Sequence, residues 1–245
     1  MGSNVGYVWT FTDTERVCYV YSPSREGALL QTILKDFKGV LVSDFYSAYE
    51  ALPCPQQKCL IHLIRDLNED LTKEPFNQEL RILASDFAEL LRAVTLTIDR
   101  FGLKTRFLRK HKRHVERFFR DLSRKQMVTE VAVRWKKRLE KNRTKLFTFL
   151  DYDNVPWNNN SAEHAIKAIA YLRRDLSGVS TEKGMRDYLT VLSVRETCRF
   201  RRVSFLDFLR SGERDVDAFV DKKTSHQASP HQLTEMVPQP YSLGA

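Results

Sequence analysis

The sequence predicts an α/β fold in which a mixed sheet is interrupted by a long helical insertion. Three observations carry this. The first 60 of the 245 residues are rich in β-branched and aromatic residues, residues 66–150 follow a helical period almost throughout, and helical periodicity resumes after a polar break at 151–156.

The elements follow in order. Val5–Thr12 and Val17–Tyr21 mix β-branched and aromatic residues around Asp13-Thr14-Glu15-Arg16, which predicts a hairpin. Pro23-Ser24-Arg25-Glu26 opens a helix with Ala28, Leu29, Ile33 and Leu34 as its apolar positions. Gly39–Ser43 reads as a short strand buried on both faces, with Asp44 at its C-terminal end. A helical turn over Tyr46–Leu52 is broken by Pro53 and Pro55, and Gln57–Ile61 is one more short strand before helix begins near His62.

In the helical stretch, Phe87, Leu90, Leu91 and Val94 form one stripe, and Val115, Phe118, Phe119 and Leu122 another. After Asp151–Pro156, Asn160 or Ser161 caps a helix with Ala162, Ala165, Ile166 and Ile169 on its apolar face. Ser177-Gly178 turns the chain into a helix carrying Tyr188, Leu189, Val191, Leu192 and Val194. Ser204-x-x-Asp207 is a capping box for a last short helix ending near Gly212. This gives four segments: 1–65, 66–150, 151–212, and a polar tail over 213–245 expected to be disordered.

Composition narrows the class. No stretch approaches the roughly 18 uninterrupted apolar residues of a membrane-spanning helix, and Met1-Gly2-Ser3-Asn4 does not start a signal or transit peptide. Four scattered cysteines (Cys18, Cys54, Cys59, Cys198) make no disulfide framework. A soluble, cytoplasmic protein with reduced cysteines is expected.

The formal charge of +9 is unevenly placed. Arg100–Lys145 holds 18 Lys and Arg against 4 acids, while the remainder carries 22 bases and 27 acids. Nucleic-acid backbones bind such a segment through counterion release, although a solvated helix face also carries basic runs. The candidate backbone contacts are Arg106, Arg109, Lys110, Lys112, Arg113, Arg134, Lys136 and Lys137. Interleaved aromatics (Phe101, Phe107, Phe118, Phe119, Trp135, Phe147) favour a folded face over a loose tail.

Single residues leave the chemistry open. Asp44 stands where ligands bind in open α/β sheets, outside the carboxyl end of a strand, but a turn or N-cap aspartate stands there too. Glu163 sits in the first turn of a helix behind Asn158-Asn159-Asn160-Ser161, and also pairs by spacing with Lys167. Cys54, Cys59 and His62 are three zinc-type residues without a fourth nearby, so a structural zinc is not expected. Trp157 either stacks on a base or anchors the core at the helix entrance.

The combination is more specific. Val42-Ser43-Asp44-Phe45-Tyr46-Ser47-Ala48-Tyr49, then Cys59-Leu60-Ile61-His62-Leu63-Ile64-Arg65, then Asn159-Asn160-Ser161-Ala162-Glu163 resemble, in order and spacing, the transposases of insertion-sequence family sixty-six. The likeness covers roughly residues 5–210, with His164 standing where that family carries arginine or a similar residue.

The resemblance implies an RNase H-like catalytic domain of the DDE type, in which carboxylates hold two Mg²⁺ (or Mn²⁺) ions for nicking transposon ends and joining them to target DNA. Asp44 is then the second acid and Glu163 the third, with Cys59, His62, Arg65, Asn159, Asn160 and Trp157 supporting the site or the DNA end. The first acid belongs on a strand ahead of the hairpin, so that strand is expected to be missing or truncated. Asp13, in the hairpin turn, does not replace it. Strand transfer by this chain alone is therefore not expected, and a non-catalytic DNA-binding remnant acting on ends or on intact transposase is the alternative. The resemblance further implies a homo-oligomer on DNA, associated with the nucleoid.

Overall fold

The computed structural model describes residues 6–175 and 181–227, which divide into two compact units. One comprises residues up to Tyr7 together with 22–164, and the other residues 8–21 together with the chain from 165 onward.

In the second unit, β1 (Tyr7–Thr12) and β2 (Val17–Ser22) form the expected hairpin. Asp13 holds its turn by accepting from the N–H groups of Glu15 and Arg16 at 2.7 and 2.6 Å.

The first unit begins with α1 (Ala28–Ile33), whose buried side is Leu30 and Leu34. Ile33, expected on that side, is 42% exposed, because the i, i+4 pair Leu30–Leu34 takes the inward face. β3 (Leu41–Ser43) and β4 (Gln56–Lys58) are three-residue strands paired in parallel, with Ser43 opposite Lys58. β3 is half-buried at Leu41 and Val42, where burial on both faces was expected, and only Ser43 is fully enclosed. A single 3-10 turn, Ser47–Ala51, stands between these strands.

Helices follow: α2 (Leu60–Lys73), α3 (Gln78–Phe101), α4 (Thr105–Leu108), α5 (Lys112–Arg124), α6 (Glu130–Lys141) and α7 (Arg143–Leu146). Their core gathers Leu63, Leu67, Leu83, Phe87, Phe119, Trp135 and Leu139, and both expected stripes face it, with Phe118 packed at its margin. Asn77 caps α3 by accepting from Leu80 N–H. Glu79 in the first turn of α3 accepts from the N–H groups of Val128 and Thr129, fastening the start of α6.

The unit ends with the first turns of α8 (Asn160–Asp175). In the second unit α9 (Glu182–Phe200), α10 (Phe205–Ser211) and α11 (Val216–Gln227) complete the described chain. Ser204 caps α10 by accepting from Asp207 N–H, and Gly212 ends it in the left-handed conformation at φ 72°.

Three expectations need correction or limits. Among the described residues the strands form two separate two-stranded sheets, not one mixed sheet. At β2, Val17 N–H donates to Thr197 Oγ1 at 3.1 Å and Tyr19 N–H to Ser193 Oγ at 3.0 Å. Hydroxyls of α9 thus occupy an edge that another strand would need. Within 213–245, read as a disordered tail, α11 is helical and buries Val216 beside Phe208 and Cys198. The turn expected at Ser177–Gly178 lies outside the described residues. No helix among the described residues is long and apolar enough to cross a membrane, and all four cysteines are free.

Candidate active site and nucleic-acid interface

The three sequence motifs meet at the start of α2. An α-helix leaves its first N–H groups without intrahelical partners. Here Cys59 N–H, at the N-cap position, donates to Ser43 O at 2.7 Å, and Leu60 N–H donates to Trp157 O at 3.0 Å. The end of β3, the entrance of α2 and the segment leading to Glu163 are thereby joined by backbone hydrogen bonds. One turn into α2, His62 Nε2 lies 3.4 Å from Glu163 Oε1.

Around Asp44 the packing is polar and tight. Its Oδ1 accepts from Tyr46 N–H at 2.9 Å, a local turn bond, so the turn role and the strand-end position coexist. Its backbone carbonyl accepts from Lys58 Nζ at 3.2 Å. Lys58 is 0% exposed and its ammonium pairs with Glu50 Oε1 at 3.1 Å, while Lys145 pairs with the other Glu50 oxygen. The Lys58 ammonium also lies 5.5 Å from the centre of the Tyr49 ring, and Tyr46 meets Tyr49 edge-on at 5.9 Å. Burial pushes the Lys58 ammonium below its usual value, against the pull of Glu50. Burial also pushes the Tyr49 hydroxyl up to about 12.

The Glu163 side of the site carries unpaired polar atoms. Asn159 Oδ1 and His62 Nδ1 are buried without a hydrogen-bond partner, and Glu163 Oε1, also buried, is faced by the His62 ring at 3.4 Å without a hydrogen bond to it. Glu163 N–H donates to Asn159 O at 3.1 Å, which sets these two side chains one helical turn apart. An unpaired Asn159 Oδ1 and a carboxylate oxygen held only loosely by His62 suit a hard cation, which prefers oxygen ligands. Among the described residues, however, no three His, Cys, Asp or Glu side chains form a group able to hold a metal ion.

The supporting residues divide by exposure. Cys59 is fully buried, and Trp157 is half-buried against the helical core, the anchor position of its two alternatives. Arg65 is exposed on α2, and Asn160 N–H is held by Asn158 Oδ1 at 3.1 Å.

The basic residues divide by partner. Lys112 pairs with Asp151 at 2.8 Å, and Arg134 with Asp70 at 2.8 Å. Lys136 donates to the carbonyls of Ser123 and Lys125 at 2.9 and 2.7 Å, closing the end of α5. Arg106, Arg109, Lys110, Arg113 and Lys137 are exposed. Arg106 lies over the Phe107 ring at 4.6 Å, and Arg106 and Arg109 line an open cleft with Lys104, Thr105, Asp151 and Asp153.

Lys58, Glu50 and Lys145 escaped the sequence reading. Hydropathy gives no sign that the strand Gln-Gln-Lys is buried; the available signal was its place directly before Cys-x-x-His, opposite the strand ending at Asp44.

No curated protein and no solved structure matches the chain. A family model described as transposase IS66 family matches residues 2–187, a span that contains Asp44, Cys59, His62 and Glu163. With three motifs in the order that family shows and their segments joined at the start of α2, the chain belongs to the IS66 family of transposases.

Proposed function

We propose that this chain carries the catalytic part of a DDE-type transposase with an RNase H-like arrangement, acting on transposon-end and target DNA. The observation that carries this reading is the joining of the three motif segments at the entrance of α2, with Asn159 presenting a buried, unpaired oxygen beside the Glu163 carboxylate. Asp44 and Glu163 would hold divalent Mg²⁺ or Mn²⁺, which supplies activation of the attacking oxygen and stabilisation of the leaving one. The described residues offer two of the carboxylates such ions require. His62 orients Glu163, and Lys58 fixes the backbone at Asp44. The helices over 66–150 are then an insertion whose cations meet phosphates, and the active form is a homo-oligomer on paired ends in the nucleoid.

A second reading is a DNA-binding remnant that occupies ends or pairs with intact transposase. It is favoured by the lack, among the described residues, of a third side chain completing a metal-holding group. Divalent-metal-dependent cleavage of DNA carrying the element's ends separates the two. This chain is assayed beside a longer polypeptide carrying the upstream coding sequence. Cleavage by either one, abolished by Asp44→Asn, supports the catalytic reading; DNA binding by both with no cleavage supports the remnant.

A further inference from the structure

The basic segment does not present its charge uniformly, and its pairing shows where a phosphate backbone fits. Several cations are committed within the fold: Lys125 to Asp86, Arg134 to Asp70, Arg138 to Asp66 at 2.6 Å, Lys145 to Glu50, and Lys136 to helix-end carbonyls. A cation already facing a carboxylate has little left to offer a phosphate, since breaking its pair offsets the new one.

The corner between α3 and α4 is different. Gly102, at φ +69°, ends α3 in a conformation that L side chains rarely adopt, and the chain doubles back so that Phe107 stacks on Phe101 with ring centres 4.3 Å apart. Arg100 lies over Phe101 at 5.1 Å and Arg106 over Phe107 at 4.6 Å, so each ring of the stacked pair also carries a guanidinium. Stacking on an aromatic ring holds a guanidinium flat while leaving its N–H edges free to donate.

Beside this stack is the open cleft of about 500 Å³ lined by Lys104, Thr105, Arg106, Arg109, Asp151 and Asp153. Both carboxylates in it are engaged. Asp153 accepts from Thr105 N–H and Oγ1 at 2.6 Å each, and Asp151 takes the Lys112 ammonium at 2.8 and 2.9 Å. Lys104 donates to Asn154 Oδ1 at 3.2 Å. Counting Lys112, four cations face two occupied carboxylates, and Arg106 and Arg109 are the exposed guanidinia at its mouth.

We propose that this corner, and not the α6 face, is where the segment grips the sugar–phosphate backbone of duplex DNA, with Arg106 and Arg109 each taking a phosphate and Arg100 extending the track. The inference rests on the DNA-directed reading of the chain, and narrows it to one surface. Charge complementarity selects the ligand: the unengaged groups are planar, multidentate cations, which match phosphate geometry.

The test is the salt dependence of binding to a short mixed-sequence duplex, followed by fluorescence anisotropy in EDTA so that no metal chemistry contributes. The slope of log affinity against log salt should become shallower by about 0.9 for each phosphate left without its cation, hence by about 1.8 in the double variant Arg106→Gln, Arg109→Gln. Replacing both by lysine should restore the slope, because charge is kept. The double variant Arg134→Gln, Arg138→Gln should leave it unchanged. An unaltered slope in the first variant, an equal decrease in the second, or no binding by the unaltered chain at low salt overturns the proposal. Metal-dependent cleavage reads the Asp44–Glu163 site separately, so failure of one reading is distinguishable from failure of the other.

Discussion

The helical layer and strand β4 are both buried, by opposite means. In α3 and α5 the buried positions Leu80, Leu83, Phe87, Leu90, Leu91, Val94, Val115, Phe119 and Leu122 are apolar and at helical spacing, with Thr97 the one polar residue among them. In β4 they are Gln56, Gln57 and Lys58, with no apolar residue among them. The strand is buried with most of its polar groups satisfied, Gln56 Oε1 being without a partner. Gln56 Nε2 donates to Tyr49 O, Gln57 Nε2 to Leu146 O at 2.8 Å, Phe149 N–H to Gln57 Oε1 at 3.0 Å, and Lys58 pairs with Glu50. Water release stabilises the first region and is tolerant of detail. The second depends on these particular partners, since an unpaired buried group costs about 1–3 kcal/mol and a charge more. The polar region is the one that borders Asp44.

That contrast can be broken deliberately. The largest effect is expected from Phe87→Ala, which empties the centre of the helical core and should cost about 3–5 kcal/mol in denaturant unfolding. Glu50→Gln should come next. It leaves the Lys58 ammonium buried with a weaker partner, and a cost of about 2 kcal/mol is expected, below that of a fully enclosed pair because Glu50 is partly exposed. Its pH dependence is distinctive. Burial lowers Lys58 beneath its usual 10.5, so just below that pH the unfolded chain holds the extra proton and stability rises with pH. Removing Glu50 lowers Lys58 further, so the deficit of the variant should shrink between neutral and alkaline pH. A deficit that stays constant would mean that Lys58 is not charged in the folded protein.

A smaller, acid-side effect belongs to the helical region. His111 is buried, with Nε2 at 2.8 Å from Thr97 Oγ1, and burial, then the charges of Lys110 and His114, hold it below 6.5. The folded state therefore binds fewer protons than the unfolded one, and stability should fall as pH drops below 6.5. Thermal unfolding of His111→Asn should show a flatter acid limb than the unaltered chain. The smallest effect is expected at Ile166, 49% exposed on α8, where Ile166→Ser should change stability by less than about 0.5 kcal/mol.

These cases also mark what the sequence discloses. Where apolar spacing and burial coincide, as in α3, α5 and the capped α10, elements and inward faces are legible from residues alone. Ile166 and Ile33 show the limit: an apolar residue at helical spacing points inward only if another element covers it, and spacing carries no record of coverage. The covering of β2's outer edge was not legible because Thr197 and Ser193 read as ordinary helix residues until β2 lies against them. Lys58 was invisible for the same reason. Its ammonium is paired with Glu50, eight positions back along the chain, whose other oxygen takes Lys145 from 87 positions ahead of Lys58. At the candidate site the motif order disclosed Asp44, His62 and Glu163 but not how they are assembled. The assembly uses backbone groups, Cys59 N–H and Leu60 N–H, which every residue but proline possesses.

If the entrance of α2 gathers Asp44 and Glu163 into one cation-holding site, both carboxylates must contribute to the same bound ion. Mn²⁺ binding followed by electron paramagnetic resonance decides this, comparing the unaltered chain with Asp44→Asn and with Glu163→Gln, each checked for folding by circular dichroism. Each substitution alone should weaken Mn²⁺ binding while duplex DNA binding in EDTA is retained. Unchanged Mn²⁺ binding in both variants would show that the two acids do not share a cation.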